Sequence, residues 1–536
     1  MLLRTLVGLL LAAPVCACAS KDSPPTDSGS GHPGTGATAA VGAGGSAGQT
    51  GAGGTGGSNA TGGSLSTGGS VSTGGATSSG GTAGSTATGG STSAAGSTST
   101  GGVAGTSGSG AMTSGGRGGR SAAGGRGSGM TTGGAPATGG TGAGTAGSGA
   151  GGSPTMPTIT DELPGSACTR DFTVPAFADL KTNAKMPDPF TFLDGSKVMT
   201  KDDWVCRQKE INLLAQAFIY GPKPGKPETL NATFSGSTLT LDMTNAGKSW
   251  TLAVSIKLPS GSGPFPAMFD VDAGAPTGVA SIGVGLTWLT TNVAAAGSGR
   301  GASGKFYDFF PNSKKTGSLM AWAWVASRIV DGLIATQGQH NIDVTKMYGL
   351  GCSRNGKTAA TMALFDQRIA MVAMQSPGSG TTSGWRIADA QTTSVQTASE
   401  IYGETTWMGD DFGQFGNAVN KLPIDQHEVL ALAWPRPILV REGTNDSWNC
   451  PICVYTTLKY TELVYEALGS TNTIGFTHYN GGHCESGGQE WTDTYNAFVK
   501  HYILPADGTT STAGMFDEKF TFDKAKWQDG DLTPIP

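Results

Sequence analysis

Gly351-Cys352-Ser353-Arg354-Asn355-Gly356-Lys357 is the stretch on which the reading of this chain turns. Apolar residues 347–351 lead into it as a short strand, and 357–365 follow it as a helix. A serine on a tight strand-to-helix turn is held with its hydroxyl exposed, and the helix N-terminus favours negative charge developing there. The usual pattern is G-x-S-x-G; here Asn355 holds the fifth position and the glycine follows at Gly356. Asparagine tolerates strained backbone better than most residues, so the departure is mild. The competing reading is a glycine-flanked helix cap that uses Ser353.

Working outward, residues 369–374, 437–441 and 474–478 read as strands, and 319–333, 460–468 and 491–502 as helices. Upstream, 237–243 and 250–258 alternate as antiparallel strands do. Strands alternating with helices predict an α/β layer architecture with a mostly parallel sheet. Active sites in such sheets lie at the carboxyl ends of the strands, where the loops after 351, 441 and 478 fall.

A serine nucleophile needs a base. Of six histidines, His32 lies in a glycine-rich segment, His340 before the strand, His427 on an apparent helix 426–433, and His501 on the terminal helix. His478 ends a strand. His483, in Asn480-Gly-Gly-His-Cys484, stands in the loop just past the last strand, in the chain order serine, acid, histidine. The acid is expected after a strand between them. Asp446, in Arg441-Glu-Gly-Thr-Asn-Asp446, is favoured on loop placement, with Glu442 as competitor; either could instead cap a turn.

Composition divides the 536 residues. Residues 19–160 hold 48 of the 88 glycines and no aromatic residue, while all 40 Phe, Trp and Tyr lie at or after Asp161. Such a segment cannot bury enough apolar surface to offset chain entropy, and it is expected to be a disordered linker spanning on the order of 60–70 Å. Without a G-X-Y period it is not collagen. Residues 161–536 suffice for one large domain, and their 37 acidic against 29 basic residues argue against a nucleic-acid partner. Residues 1–18 read as a secretory signal, with Arg4 ahead of a stretch too short to span a bilayer. Val15-Cys16-Ala17-Cys18 is like a bacterial lipobox, with Cys18 as the lipidated residue; simple secretion is the alternative. No later run reads as long and apolar enough for a transmembrane helix. The expected location is therefore exported, secreted or at the outer surface of a bacterium, and the even set of cysteines at 168, 206, 352, 450, 453 and 484 suits disulfides there. Cys450-Pro-Ile-Cys453 lacks a second ligand pair, so no metal and no cofactor are expected.

At these residues the chain resembles the glucuronoyl esterases, carbohydrate esterase family fifteen. The likeness runs through Asn183-Ala-Lys-Met-Pro-Asp-Pro-Phe190, Trp204-Val-Cys206-Arg, Ala321-Trp-Ala-Trp-Val-Ala-Ser-Arg-Ile-Val-Asp331 and the whole Gly351–Lys357 motif. It continues in Trp385-Arg386, Val395-Gln-Thr-Ala398, Asp425-Gln-His427-Glu and His483-Cys484. The resemblance implies an α/β-hydrolase three-layer sandwich that cleaves esters of (4-O-methyl)glucuronic acid joining glucuronoxylan to lignin alcohols, without a cofactor and expected to act as a monomer. It implies Ser353 as nucleophile, His483 as base and Arg354 as a stabiliser of the oxyanion. Lys357, Gln396, Glu404 and Trp448 would contact the sugar, and disulfides would join Cys352 to Cys484 and Cys168 to Cys206. Taken singly, Lys357 could be an exposed helix charge, Gln396 and Glu404 a solvated helix face, and Trp448 a core residue.

Two departures matter. Many members carry the acid in a turn after the strand that follows the serine helix; here Met374-Gln-Ser376 puts Ser376 in that place, and serine cannot hold an imidazolium by charge. Some bacterial members carry the acid after the later strand, where Asp446 and Glu442 lie. The family cysteine before Trp-Arg is Gly384 here, so Cys450 and Cys453 either close a small loop or stay reduced. The rival readings are an acetyl or feruloyl xylan esterase with the same triad, or a tethered carbohydrate-binding protein with a relic site.

Overall fold

The alternating and apolar segments join one nine-stranded sheet in the computed structural model, which describes residues 161–271, 284–288, 303–485, 488–504 and 508–536. The expected leader 1–18 and linker 19–160 lie outside the described residues. The strands are β1 Thr229–Ser235, β2 Thr238–Asn245, β3 Lys248–Lys257, β4 Phe265–Val271, β5 Val284–Trp288, β6 Ile342–Leu350, β7 Met371–Gln375, β8 Ile438–Gly443 and β9 Ile474–Tyr479. Their spatial order is β1-β2-β3-β5-β4-β6-β7-β8-β9. β1 to β3 form an antiparallel extension, and β3 meets β5 antiparallel. From β5 onward every neighbouring pair is parallel. The mostly parallel sheet expected from the sequence is present.

Ten α-helices are described: α1 Lys201–Ala215, α2 Lys305–Phe309, α3 Ser318–Ala335, α4 Arg354–Leu364, α5 Trp385–Asp389, α6 Ala398–Glu404, α7 Gln426–Ala431, α8 Pro451–Ala467, α9 Gly488–Phe498 and α10 Lys524–Trp527. Side chains along the central strands alternate between two cores. Val372 and Met374 of β7 and Ile438 and Val440 of β8 face the layer built by α3, α4 and α8. Met371 and Ala373, with Leu439, face Trp491, Tyr495 and Phe498 of α9. A strand covered on both faces must be apolar at every position, which is why these runs lack a period of two in hydropathy. Helix, sheet and helix make the three-layer α/β-hydrolase sandwich.

The differences from the sequence reading have local causes. β6 starts at Ile342 rather than 347, because its first half is partly solvated and carries Asp343 and Thr345. α8 starts at Pro451 rather than 460, with proline in the first helical turn where its missing N–H costs nothing. α1 went unforeseen since it buries Arg207, Gln208, Glu210 and Asn212 beside Trp204 and Ile211, which blurs any apolar period. Its start is nonetheless spelled out by a reciprocal cap between Thr200 and Asp203. α3 also corrects an expectation: by length and composition it is apolar enough to cross a bilayer. Here it is a core helix, packed among the strands and α4, with Ser327 and Arg328 buried on it.

Candidate active site

Ser353 sits between β6 and α4 with φ 59° and ψ −127°, a backbone region that L-residues avoid and that marks a turn built for its side chain. The strain is set by the chain on either side. A Cβ on Gly351 would lie 2.5 Å from the Asn355 carbonyl oxygen, and one on Gly356 would lie 2.8 Å from that of Gln375. The glycine that lets the helix close over β7 is therefore Gly356. Asn355 is an ordinary helical residue and not the strained position expected of it. The helix also begins at Arg354 rather than 357, which puts Arg354 in its first turn. The capping alternative for Ser353 is overturned: its hydroxyl makes no cap bond, although the backbone N–H donates to Gln375 O at 3.0 Å.

The other half of the site comes from the loops after β8 and β9. Asp446 Oδ2 accepts from His483 Nδ1 at 2.6 Å and from Asn449 Nδ2 at 3.0 Å. Asn449 also donates to the Ser376 carbonyl at 2.8 Å, so its amide fixes the aspartate against the turn after β7. Asp446 is buried, while His483 is 38% exposed. Glu442, the competitor, makes no hydrogen bond to His483. It is fully buried at the end of β8, where burial and the Asp446 carboxylate push its carboxyl well above the usual range. Cys352 and Cys484 form a disulfide that ties the serine turn to the histidine loop, with Cα atoms 5.9 Å apart. Cys168 pairs with Cys206, and Cys450 with Cys453, which closes the small loop left open above.

The residues expected to contact a sugar gather beside this site. Lys357 is buried rather than an exposed helix charge, and its Nζ donates to Pro377 O. Burial lowers its pKa to about 8, although Glu404, Glu442 and Asp446 oppose the shift. Gln396 precedes α6 and is buried, not part of a solvated helix face. Its Nε2 donates to Glu404 Oε2 at 2.5 Å, its N–H to the Trp448 carbonyl at 2.9 Å, and its Oε1 meets no partner. Trp448 is 39% exposed, so it is not a core residue. Arg354 is half-buried on the first turn of α4. The remaining described histidines are engaged elsewhere: His340 on Leu333 O, His427 on Pro187 O, His501 on Thr510 O, and His478 buried between Phe476 and Phe520. Sequence reasoning missed Asn449. The available signal was an amide three residues after the acid, one turn of helix away.

A half-buried, strained serine, a paired imidazole and carboxylate, and neighbouring polar side chains fit acyl transfer from an ester. A family model described as "Glucuronyl esterase, fungi" matches residues 241–469. The 4-O-methyl-glucuronoyl methylesterase of Hypocrea jecorina is 36% identical over 374 residues, covering 68% of this chain and 78% of the relative. The structure of the glucuronoyl esterase catalytic domain from Hypocrea jecorina superposes with a TM-score of 0.64 at 35% identity, over 68% of this chain and 100% of that one. A serine-to-alanine mutant of the Sporotrichum thermophile glucuronoyl esterase, in complex with methyl 4-O-methyl-β-D-glucopyranuronate, gives 0.61 at 34% identity, over 65% and 94%.

Proposed function

Because the chain belongs to the glucuronoyl esterase family, a family of carboxylic ester hydrolases, we propose that it cleaves esters between (4-O-methyl)glucuronic acid of glucuronoxylan and lignin alcohols. The observation that carries the assignment to residues is the 2.6 Å contact between His483 Nδ1 and Asp446, on a loop disulfide-bonded to the Ser353 turn. His483 takes the hydroxyl proton of Ser353, whose oxygen attacks the C6 carbonyl of the uronate. Asp446 holds the imidazolium that results. Arg354 and backbone N–H groups at the start of α4 receive the oxyanion, the alcohol leaves with the proton from His483, and water releases the uronic acid. Lys357, Gln396, Glu404 and Trp448 hold the sugar, with the half-exposed indole lying along the ring.

The test is hydrolysis of the benzyl ester of glucuronic acid by the full chain beside Ser353→Ala, with acetylated xylan run in parallel. Benzyl alcohol released by the wild type and lost in Ser353→Ala is the expected result. Cleavage of the acetylated xylan alone would move the assignment to an acetyl esterase. Binding to glucuronoxylan with no hydrolysis of either would leave only a carbohydrate-binding protein. The leader points to export, the Val15–Cys18 pattern to an anchor through Cys18, and residues 19–160 to a tether that lets a monomeric catalytic domain reach a bulky substrate. Labelling with a radioactive fatty acid, abolished by Cys18→Ser, tests the anchor.

A further inference from the structure

Glu442 is fully buried, yet neither the base nor the sugar contacts use it. Its Oε1 accepts from Gly443 N–H at 3.1 Å, whereas Oε2 meets no donor. Its polar neighbours there are the Asp446 carboxyl and Ser376. The Ser376 hydroxyl in turn accepts from Cys484 N–H, in the histidine loop, at 3.5 Å. Two cations feel Glu442, but neither pairs with it. Lys357 spends its Nζ on Pro377 O, and Arg441 packs its guanidinium over Tyr479 and donates to Glu485 O. Two ionised carboxylates cannot share a buried site without a large repulsion, so one proton between them is the stable state. Asp446 is the member that accepts from both His483 and Asn449, which makes it the anion. The proton therefore sits on Glu442, and the oxygen without a donor is itself a donor.

We infer that Glu442 is a positioning residue of the reaction: as a neutral acid it donates to Asp446 and fixes the carboxylate oxygen that receives His483 Nδ1–H. The inference rests on the Ser353–His483–Asp446 reading. It gives a physical role to the site where Ser376 replaces the acid of many relatives. With no carboxylate after β7, the space is closed by a hydroxyl and a carboxylic acid that together brace the acid after β8.

The experiment compares Glu442→Gln, Glu442→Met and Asp446→Asn in the full chain on the benzyl ester of glucuronic acid. Glutamine keeps a neutral donor of the same shape, so kcat should stay within about threefold of wild type. Methionine fills the space without a donor and should lower kcat about tenfold with KM unchanged, the scale of one lost hydrogen bond. If Glu442→Gln is as damaging as Asp446→Asn, Glu442 is the working charge and the inference falls. If Glu442→Met matches wild type, nothing is being positioned and it falls as well. Wild-type activity in Asp446→Asn would instead bring down the triad reading beneath it, an outcome that the Glu442 variants alone cannot produce. Infrared difference spectra of the full chain with isotope-labelled glutamate, wild type minus Glu442→Gln, need no activity at all. They should show the carbonyl stretch of a protonated glutamic acid at neutral pH, and its absence from wild type overturns the proposal.

Discussion

The β6–α4 turn and the β8–α8 loop each deliver one member of the proposed charge system, and they are built in opposite ways. The turn is local. Seven consecutive residues set its strain, since Gly351 and Gly356 leave room for backbone where any side chain would collide. The loop is collective, and Asp446 is held by Asn449 on its own turn, Ser376 from another strand end, and Glu442 at the strand's last pleat. A nucleophile must present one atom along one line, and only a stiff turn ensures that. An acid has only to keep a negative charge against an imidazole, and that can be met from more than one strand end.

The largest effect expected from breaking this contrast is on the loop side. Asp446→Asn should reduce kcat about a thousandfold to ten-thousandfold on the benzyl ester, with KM little changed, because the imidazolium loses its counter-charge. A reduction of only a few fold would mean that Glu442 or another group substitutes, and the loop would then be more interchangeable than its packing implies. On the turn side, Arg354→Ala removes one group proposed to face the oxyanion and should lower kcat about a hundredfold to a thousandfold. Steady-state kinetics separates the two readings of Arg354. A fall in kcat places it at the transition state, and a rise in KM alone would make it a binding residue.

The same contrast explains what the sequence disclosed. The place of Ser353 was legible because the turn encodes its own geometry in a contiguous motif, and that of His483 because a glycine-rich loop follows an apolar strand; Arg354 and Lys357 were singled out only by the family resemblance. The mostly parallel sheet around them follows from alternating helices and fully apolar runs. Asp446 could be placed only by its loop, and its distinction from Glu442 depends on which carboxylate points at His483 across 37 residues of chain. Asn449 left only a faint trace, an amide three residues after the acid, as its role exists only once β7 and β8 lie side by side. α1 was hidden for a related reason: its buried face is half polar, satisfied by partners as distant as Glu428.

A smaller effect is expected where the two halves are stitched together. Cys352→Ser with Cys484→Ser opens a bond spanning 132 residues, while Cys168→Ser with Cys206→Ser opens one spanning 38. Chain entropy ranks their stabilities close together, at about 5 and about 4 kcal/mol, so both double variants should melt earlier by similar amounts. Turnover should separate them. Only the first pair holds the serine turn against the histidine loop, and its loss should cost on the order of tenfold in kcat through misplacement of the reacting groups. Equal turnover in both variants would show that packing alone aligns the two loops.

The smallest and most specific effect concerns two cations three residues apart on α4. A guanidinium as a residue type stays charged at any working pH, whereas burial brings Lys357 down to about 8. A lysine is cationic below its pKa, so Lys357 is charged at neutrality and loses its charge as pH rises through that value. If its ammonium holds the sugar, KM for the glucuronate ester should climb by roughly threefold to tenfold across that step, the worth of a charged hydrogen bond, while kcat holds level. Lys357→Met should begin at the higher KM and show no step, and Ser353→Ala supplies the blank for alkaline hydrolysis of the ester. A step in KM that persists in Lys357→Met would belong to another group. A step in kcat instead would place the titrating group on the reaction side of the site, with the charges of the β8–α8 loop.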